Sequence, residues 1–330
     1  MKIIIGELDA NVARFAPQNM KIKIGTRGSK LALWQAYYVE DRLKADGIET
    51  EIIIIETKGD KILDRALSKI GSKGVFTEEL EDQLRSGEID IAVHSAKDLQ
   101  SELADDLELI AFTEREKIAD VLVSFNKNLS LVSGESFVVG TSSTRRVAML
   151  RHYYPHIKIV DMRGNLQTRL RKLEEGQCDA LLLAYAGVHR MGYNEMIAQE
   201  LPTTEFTPPV GQGCVAIEAA KSLSEEKRMA IRNLINDDVT EKCLKAERAY
   251  LRKLQGGCSI PSFGWCIAEE KNGELTLNMT SGIISLDGKT IVKKNESKPV
   301  SEAELLGEAL AERVLRSGGA EILEEIRNNG

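Results

Sequence analysis

Short runs of branched apolar residues alternate along this chain with longer stretches in which apolar positions recur every three or four residues. The first pattern predicts strands over 21–25, 52–56 and 89–94. The second predicts helices over 31–44 and 76–85, stopped near Gly47 and at Gly87. The run IIIIE at 52–56 has no polar face, as in a strand covered on both sides. The scheme then repeats, with strands over 137–140, 157–161 and 180–184 and helices over 144–153 and 165–175, the latter closed by Gly176. Such alternation predicts parallel, doubly wound sheets, and its repetition predicts two α/β lobes facing across a cleft.

The segment TPPVGQGCV at 207–215 holds two prolines and two glycines in nine residues, which marks a crossing between domains. Beyond it the pattern changes. A helix over 240–254 precedes alternating strands over 263–268, 275–281 and 290–294, then two closing helices. That is a smaller α+β unit. The expected division is an extension over 1–19, a first domain from 20–113 and 214–231, a second over 114–213, and a third over 232–330.

Composition narrows the classes. A chain of 330 residues that is 42% hydrophobic and 29% charged is a folded, soluble, multidomain protein. Its net charge of -7 speaks against broad binding to nucleic acid or anionic membranes. The opening MKIIIGELDANVARF is too short and too acidic for a signal peptide, and no apolar run reaches membrane-helix length, so a cytoplasmic location is expected. The five cysteines (Cys178, Cys214, Cys243, Cys258 and Cys266) include no CxxC pair and have no histidine in ligand register, so neither a disulfide framework nor a zinc site is expected. Hydrolase and nucleotide-binding signatures are absent.

The charge is unevenly spread. Residues 140–172 carry eight basic side chains and one acidic, Asp161, inside an acidic protein. Arg145, Arg146, Arg163, Arg169 and Arg171 fall at strand–loop–helix junctions or in first turns. A helix start disfavours cations, so the window is either a solvated face or a site for an external anion such as a carboxylate. GTRGSK at 25–30 and GTSSTR at 140–145 both follow a strand and open a helix, where hydroxyls and backbone N–H groups can receive an anion. HSAKDL at 94–99 leaves the third strand and brings Ser95, Lys97 and Asp98 to a strand's carboxyl end. Lys97 and Asp98 are either a solvated pair or the chemistry of the cleft. In QGGCSIPSFGWC, Cys258 follows two glycines and either fills a tight turn or holds out a thiol to react.

Taken in order, IGTRGSKLALWQA, ETKGD, HSAKD, VGTSSTRR, MRGNLQTRL, LAYAGVHRMG, VGQG and AERAYLRKLQGGC resemble the porphobilinogen deaminase family from residue 21 to the closing helices. The resemblance implies two lobes like those of periplasmic binding proteins and a third domain that bears a cofactor. It implies dipyrromethane, joined by a thioether to Cys258, with Asp98 and Lys97 as catalytic groups. Asp98 would hydrogen-bond pyrrole N–H groups and offset the positive charge that develops as ammonia leaves. Arg145, Arg146, Ser142, Ser143, Lys97 and Asp98 would hold the cofactor. Arg27, Ser29, Ser95, Arg163, Arg169 and Arg190 would bind porphobilinogen and the growing polypyrrole chain, whose rings carry acetate and propionate arms. No metal, nucleic acid or membrane partner is implied, and the chain would be a monomer. Lys58, Ala96 and Cys214 depart from the family's usual residues without removing a group that the chemistry needs. A two-lobed receptor or sensor of carboxylated solutes fits the lobes equally well, but gives no role to Cys258 or to a third domain.

Overall fold

The computed structural model describes residues 19–61, 77–255, 260–271 and 273–328. Phe76, expected to open a helix, Cys258 and nearly all of the expected extension lie outside the described residues. The first lobe is built from β1 (Lys21–Thr26), α1 (Lys30–Ala45), β2 (Glu49–Ile54), the single turn α2 (Lys58–Lys61), α3 (Glu78–Ser86), β3 (Ile91–Ser95) and β4 (Leu107–Phe112). The second contains β5 (Asp120–Val123), β6 (Val138–Gly140), α4 (Thr144–Tyr153), β7 (Lys158–Val160), α5 (Leu166–Glu174), β8 (Ala180–Ala184), α6 (Tyr185–Arg190) and β9 (Ile197–Glu200). The chain then returns through β10 (Val215–Ala220) and α7 (Glu225–Ile235).

The strands legible in the sequence are the parallel ones. β1 pairs parallel with β2 and β3, and β6 pairs parallel with β7 and β8. The strands not foreseen, β4, β5, β9 and β10, make the antiparallel half of each sheet, in the orders β2-β1-β3-β10-β4 and β7-β6-β8-β5-β9. The sheets are therefore mixed. β10 reads VAIEAA and is buried at all six positions; its alanines carry no strand signal, and only the sheet around it makes it one.

The inner strands of each sheet are covered on both faces, and side-chain parity shows it; the edge strand β2, expected to be covered on both sides, instead leaves Ile54 59% exposed. Ile91 and Val93 of β3 join a core with Ala36, Val39 and Leu43 of α1 and Ala230 and Ile231 of α7. Ala92, between them, meets Leu80 and Leu84 of α3 on the opposite face. In the second lobe Leu182 packs with Met149 of α4, while Leu181 and Leu183 pack with Leu170 and Leu173 of α5. Period-two alternation between two apolar faces is what makes such strands read as continuous apolar runs.

The last unit comprises α8 (Asp238–Leu254), an antiparallel sheet β11 (Ser262–Lys271), β12 (Glu274–Ile284) and β13 (Ile291–Pro299), then α9 (Ala303–Val314) and α10 (Ala320–Asn328). Tyr250, fully buried on α8, donates its hydroxyl hydrogen to the Gly282 carbonyl at 2.8 Å and ties helix to sheet. α8 ends on Gln255 in a left-handed conformation, φ 52°. No described helix is long and apolar enough to cross a membrane.

Candidate active site

The loops leaving β1, β3, β6 and β7 lie at the carboxyl ends of parallel strands, where α/β sheets present free backbone groups. Local sequence fixes them. Ser29 and Ser143 stand in extended conformation before α1 and α4, and their hydroxyls accept from Ala32 N (3.3 Å) and Arg146 N (3.4 Å). Asn165 does the same for α5, accepting from Thr168 N at 3.0 Å. Each cap satisfies a helix N–H that would otherwise lack a partner. The Ser142 hydroxyl donates to the Met162 carbonyl at 3.1 Å, which ties the loop after β6 to the loop after β7. Ser95 Oγ accepts from the buried amide of Gln35 at 2.8 Å.

Lys97 and Asp98 form a 3-10 turn after β3, with Lys97 half-buried and Asp98 exposed. Burial pushes the Lys97 ammonium down, Arg146 adds to this, Asp98 and Asp120 push back, and Arg145 lowers it further; the result is a pKa of about 8. Arg169 is held down to about 10, first by burial and then by Arg146, with Asp98 and Asp161 opposing and Arg163 reinforcing. Contacts join several of the same groups: Lys97 Nζ lies 3.4 Å from Gln212 Oε1, and Gln212 Nε2 donates to Asp120 Oδ1 at 3.0 Å, beside Arg145 and Arg146. The structure thus brings Lys97 and Asp98 of the first lobe together with Arg145, Arg146, Arg163 and Arg169 of the second.

The arginines are held differently. Arg145 and Arg146 are buried, 4% and 6% exposed, and share Asp120: Nη2 of Arg145 donates to Oδ2 at 2.6 Å and Nη2 of Arg146 to Oδ1 at 2.7 Å. Arg146 Nε is buried and has no hydrogen-bond partner among the described residues. Arg163 donates through Nε to Asp161 at 2.8 Å, and Arg169 through Nε to the Gly164 carbonyl at 2.8 Å. Arg190 stands apart from this group: its guanidinium lies 5.2 Å from the Trp34 ring centroid and donates to the Gly213 carbonyl at 2.8 Å. Arg27 and Ser29 are half-buried on the loop after β1.

Four further residues of the site region escaped the sequence reading. Asp120 opens β5 and gave no signal beyond one acid before an apolar run. Gln212 sits inside the VGQG motif, between Gly211 (φ 78°) and Gly213 (φ 91°). A Cβ on Gly211 would come within 2.8 Å of the Ala96 backbone, and one on Gly213 within 2.4 Å of the Glu116 carbonyl. The glycines therefore let the crossing segment lie backbone to backbone against the Lys97 turn at Gly211 and against Glu116 at Gly213. Arg115 and Glu247 form a double ion pair, in which Nη2 of Arg115 donates to Oε2 at 3.0 Å and Nη1 to Oε1. Glu247 is fully buried and also accepts from Gly211 N (2.9 Å) and Cys266 N (2.8 Å).

Cys178, Cys214, Cys243 and Cys266 are all buried thiols. Burial pushes the Cys214 thiol up to about 12 despite Arg115, so it is protonated and inert at neutral pH. Iodoacetamide applied to the folded chain should leave these four unmodified, and peptide mass spectrometry before and after unfolding reads this. Rapid native labelling of Cys214 would contradict its burial.

The arrangement is a cationic cluster with two exposed carboxylates, Asp98 and the Arg163-paired Asp161, suited to a ligand that carries several carboxylates and a nitrogen that becomes positive. The family model for the dipyrromethane cofactor binding domain of porphobilinogen deaminase matches residues 22–228, and the model for its C-terminal domain matches 241–316. The chain is 55% identical to a porphobilinogen deaminase of Cytophaga hutchinsonii over 94% of this chain and 98% of that one. It is 53% identical to one of Desulfosudis oleivorans, over 93% and 98%. Among solved structures, a substrate binding domain of a putative amino acid ABC transporter from Streptococcus pneumoniae covers 65% of this chain and 91% of that one, at 14% identity and a TM-score of 0.40. That likeness is too loose to add to the strand order above. On the family models and the near full-length identities, the chain belongs to the porphobilinogen deaminase family.

Proposed function

We propose that Asp98, Lys97 and the arginines at the lobe ends carry out the family's reaction, with Cys258 as the anchor of the cofactor. The activity is that of a transferase, hydroxymethylbilane synthase, which joins porphobilinogen units head to tail with loss of ammonia in tetrapyrrole biosynthesis. One observation carries the residue assignment: Lys97 on one lobe is linked through Gln212 and Asp120 to Arg145 and Arg146 on the other, with Asp98 next to Lys97 in sequence.

A dipyrromethane suits the residues present. Its acid arms match the cationic array, and the buried Nε of Arg146, unpaired among the described residues, is a donor that an acid arm would satisfy. Arg145, Arg146, Ser142, Ser143 and Lys97 would hold it. When bound, it supplies the pyrrole carbon to which substrate is joined. The Asp98 carboxylate accepts from the substrate's pyrrole N–H and offsets the positive charge that grows as ammonia departs. Lys97, at a pKa of about 8, keeps its proton at neutral pH and grips an acid arm; it loses that grip as pH rises through 8. Arg163 and Arg169 take arms further along the product, with Arg27, Ser29 and Ser95 on the first lobe. Arg190 joins this set through the family match, from its place against the crossing segment. The return of β10 to the first sheet supports a first domain that rejoins near 214, although the expected end at 231 falls inside α7, whose Ile235 still packs in the first core. The family resemblance further supports a cytoplasmic monomer.

Loss of one charge-assisted carboxylate contact costs about 1.5–3 kcal/mol, a tenfold or larger slowing of one step. Arg163→Leu and Arg169→Leu should therefore stall elongation at particular lengths. Mass spectrometry after brief exposure to porphobilinogen should show different enzyme–pyrrole species accumulating in each. Ladders identical to the parent's, merely slower, would replace stepwise roles with a diffuse electrostatic one.

A further inference from the structure

Arg145 and Arg146 are adjacent cations buried at the start of α4, where the helix dipole disfavours positive charge and each guanidinium repels the other. Asp120 resolves this by giving one oxygen to each. Burial works against the charge on Asp120, but Arg145 and Arg146 outweigh it and hold its carboxyl well below the usual range. Backbone carbonyls complete the alignment: Arg145 Nη1 donates to Thr207 O at 2.9 Å and Arg146 Nη1 to Leu182 O at 3.1 Å. One acid between two bases leaves a net positive charge in a buried place, which folding alone does not require.

Asp120 has a third donor. The Gln212 amide nitrogen, fully buried on the crossing segment, donates to Asp120 Oδ1 at 3.0 Å and to the Ile118 carbonyl at 2.7 Å. Its carbonyl oxygen is thereby turned toward Lys97, whose Nζ lies at 3.4 Å. A continuous polar chain runs from the arginine pair of the second lobe, through Asp120 and Gln212, to Lys97 of the first. We propose that Asp120 and Gln212 are positioning residues that join these three cations into one preset array, spanning both lobes, for the carboxylate arms of cofactor and substrate. This rests on the reading of Arg145, Arg146 and Lys97 as carboxylate-gripping groups.

The charged groups that act on Lys97 are Arg146, Asp98, Asp120 and Arg145. Asp120 is one of the two acids that raise its pKa, and Gln212 stabilises the ammonium form by accepting from it. Removing either should lower the pH at which Lys97 titrates, and a purely structural role would not do so.

The test follows the Lys97 side-chain carbon by NMR in lysine-labelled protein, with Lys97→Arg used only to assign the signal. Intact mass of the same samples reports cofactor loading. Asp120→Asn should move the Lys97 midpoint down by at least about half a pH unit and cut cofactor loading tenfold or more, and Asp120→Glu should restore part of both. Gln212→Met should lower the midpoint while costing less loading, because Asp120 still holds the arginines. A Lys97 midpoint equal to the parent's in both Asp120→Asn and Gln212→Met, or parental loading in Asp120→Asn, would overturn the proposal. If Asp120→Asn does not fold, Gln212→Met decides alone. A parent without covalent pyrroles would defeat the functional reading instead, and the Lys97 titration, which needs no turnover, would still decide the relay.

Discussion

Asp98→Asn is expected to lower turnover by a hundred- to thousandfold with little change in folding. The substitution keeps the size of the side chain and one hydrogen-bond acceptor but removes the charge that faces a developing cation. Preorganised groups of this kind are worth about 2.7–4 kcal/mol in the transition state. Asp98 is exposed on a short turn and holds no part of the core, so stability should barely move. There is one secondary effect. Asp98 helps to raise the Lys97 pKa, so its loss lets Lys97 deprotonate at lower pH. Assays well below pH 8, where Lys97 stays charged even without that support, separate the two effects. A raised Michaelis constant with turnover intact would make Asp98 a binding residue rather than a catalytic one.

The largest effect on stability is expected at Arg115 and Glu247. Burial opposes the charge on Arg115, but Glu247 outweighs it and pushes the guanidinium pKa up. Glu247 also receives the backbone N–H of Gly211 from the crossing segment and that of Cys266 from β11. It therefore joins three parts of the chain through one carboxylate. Arg115→Met leaves that carboxylate buried without its cation, at a cost of about 3–5 kcal/mol and a melting temperature lower by roughly 5–10 °C. Glu247→Met strands the guanidinium in the same way. The double substitution should be less damaging than the sum of the singles, because neither charge is then left alone. Strictly additive losses in thermal melts would show that the two residues act independently.

Much of the fold was legible because the inner strands of each sheet are covered on both faces. β8 therefore reads as an unbroken apolar run and β3 as one up to His94, while β1 alternates lysine and isoleucine before Gly25; α1, α4 and α5 announce themselves through serine or asparagine caps. The antiparallel strands β4, β5, β9 and β10 were not legible. β5 and β9 are four residues each, and the alanines of β10 have no preference until the sheet surrounds them. In the site, Lys97, Asp98 and the arginines showed themselves as charge at strand ends. Their partners did not. Asp120, Gln212 and Glu247 act through contacts with residues 19 to 132 positions away in sequence, such as Asp120 with Arg145, Gln212 with Ile118 and Glu247 with Cys266 and Arg115, and no local pattern encodes those pairings. Of the arginines whose window left a solvated face and an anion site both open, Arg145 and Arg146 prove to be buried and to share one acid, Asp120. Cys258 was singled out by its two preceding glycines alone, and the role proposed for it, which the pattern had left open, comes from the family resemblance.

The central claim is that a dipyrromethane is anchored on Cys258 within a cleft whose cations grip its acid arms. Intact-protein mass spectrometry of the purified chain beside Cys258→Ser tests it most directly. The parent should be heavier than its sequence by two linked pyrrole units, and the variant should show the bare mass and no turnover. A parent of bare mass that still turns over porphobilinogen, or a Cys258→Ser protein that still carries the added pyrroles, would contradict it.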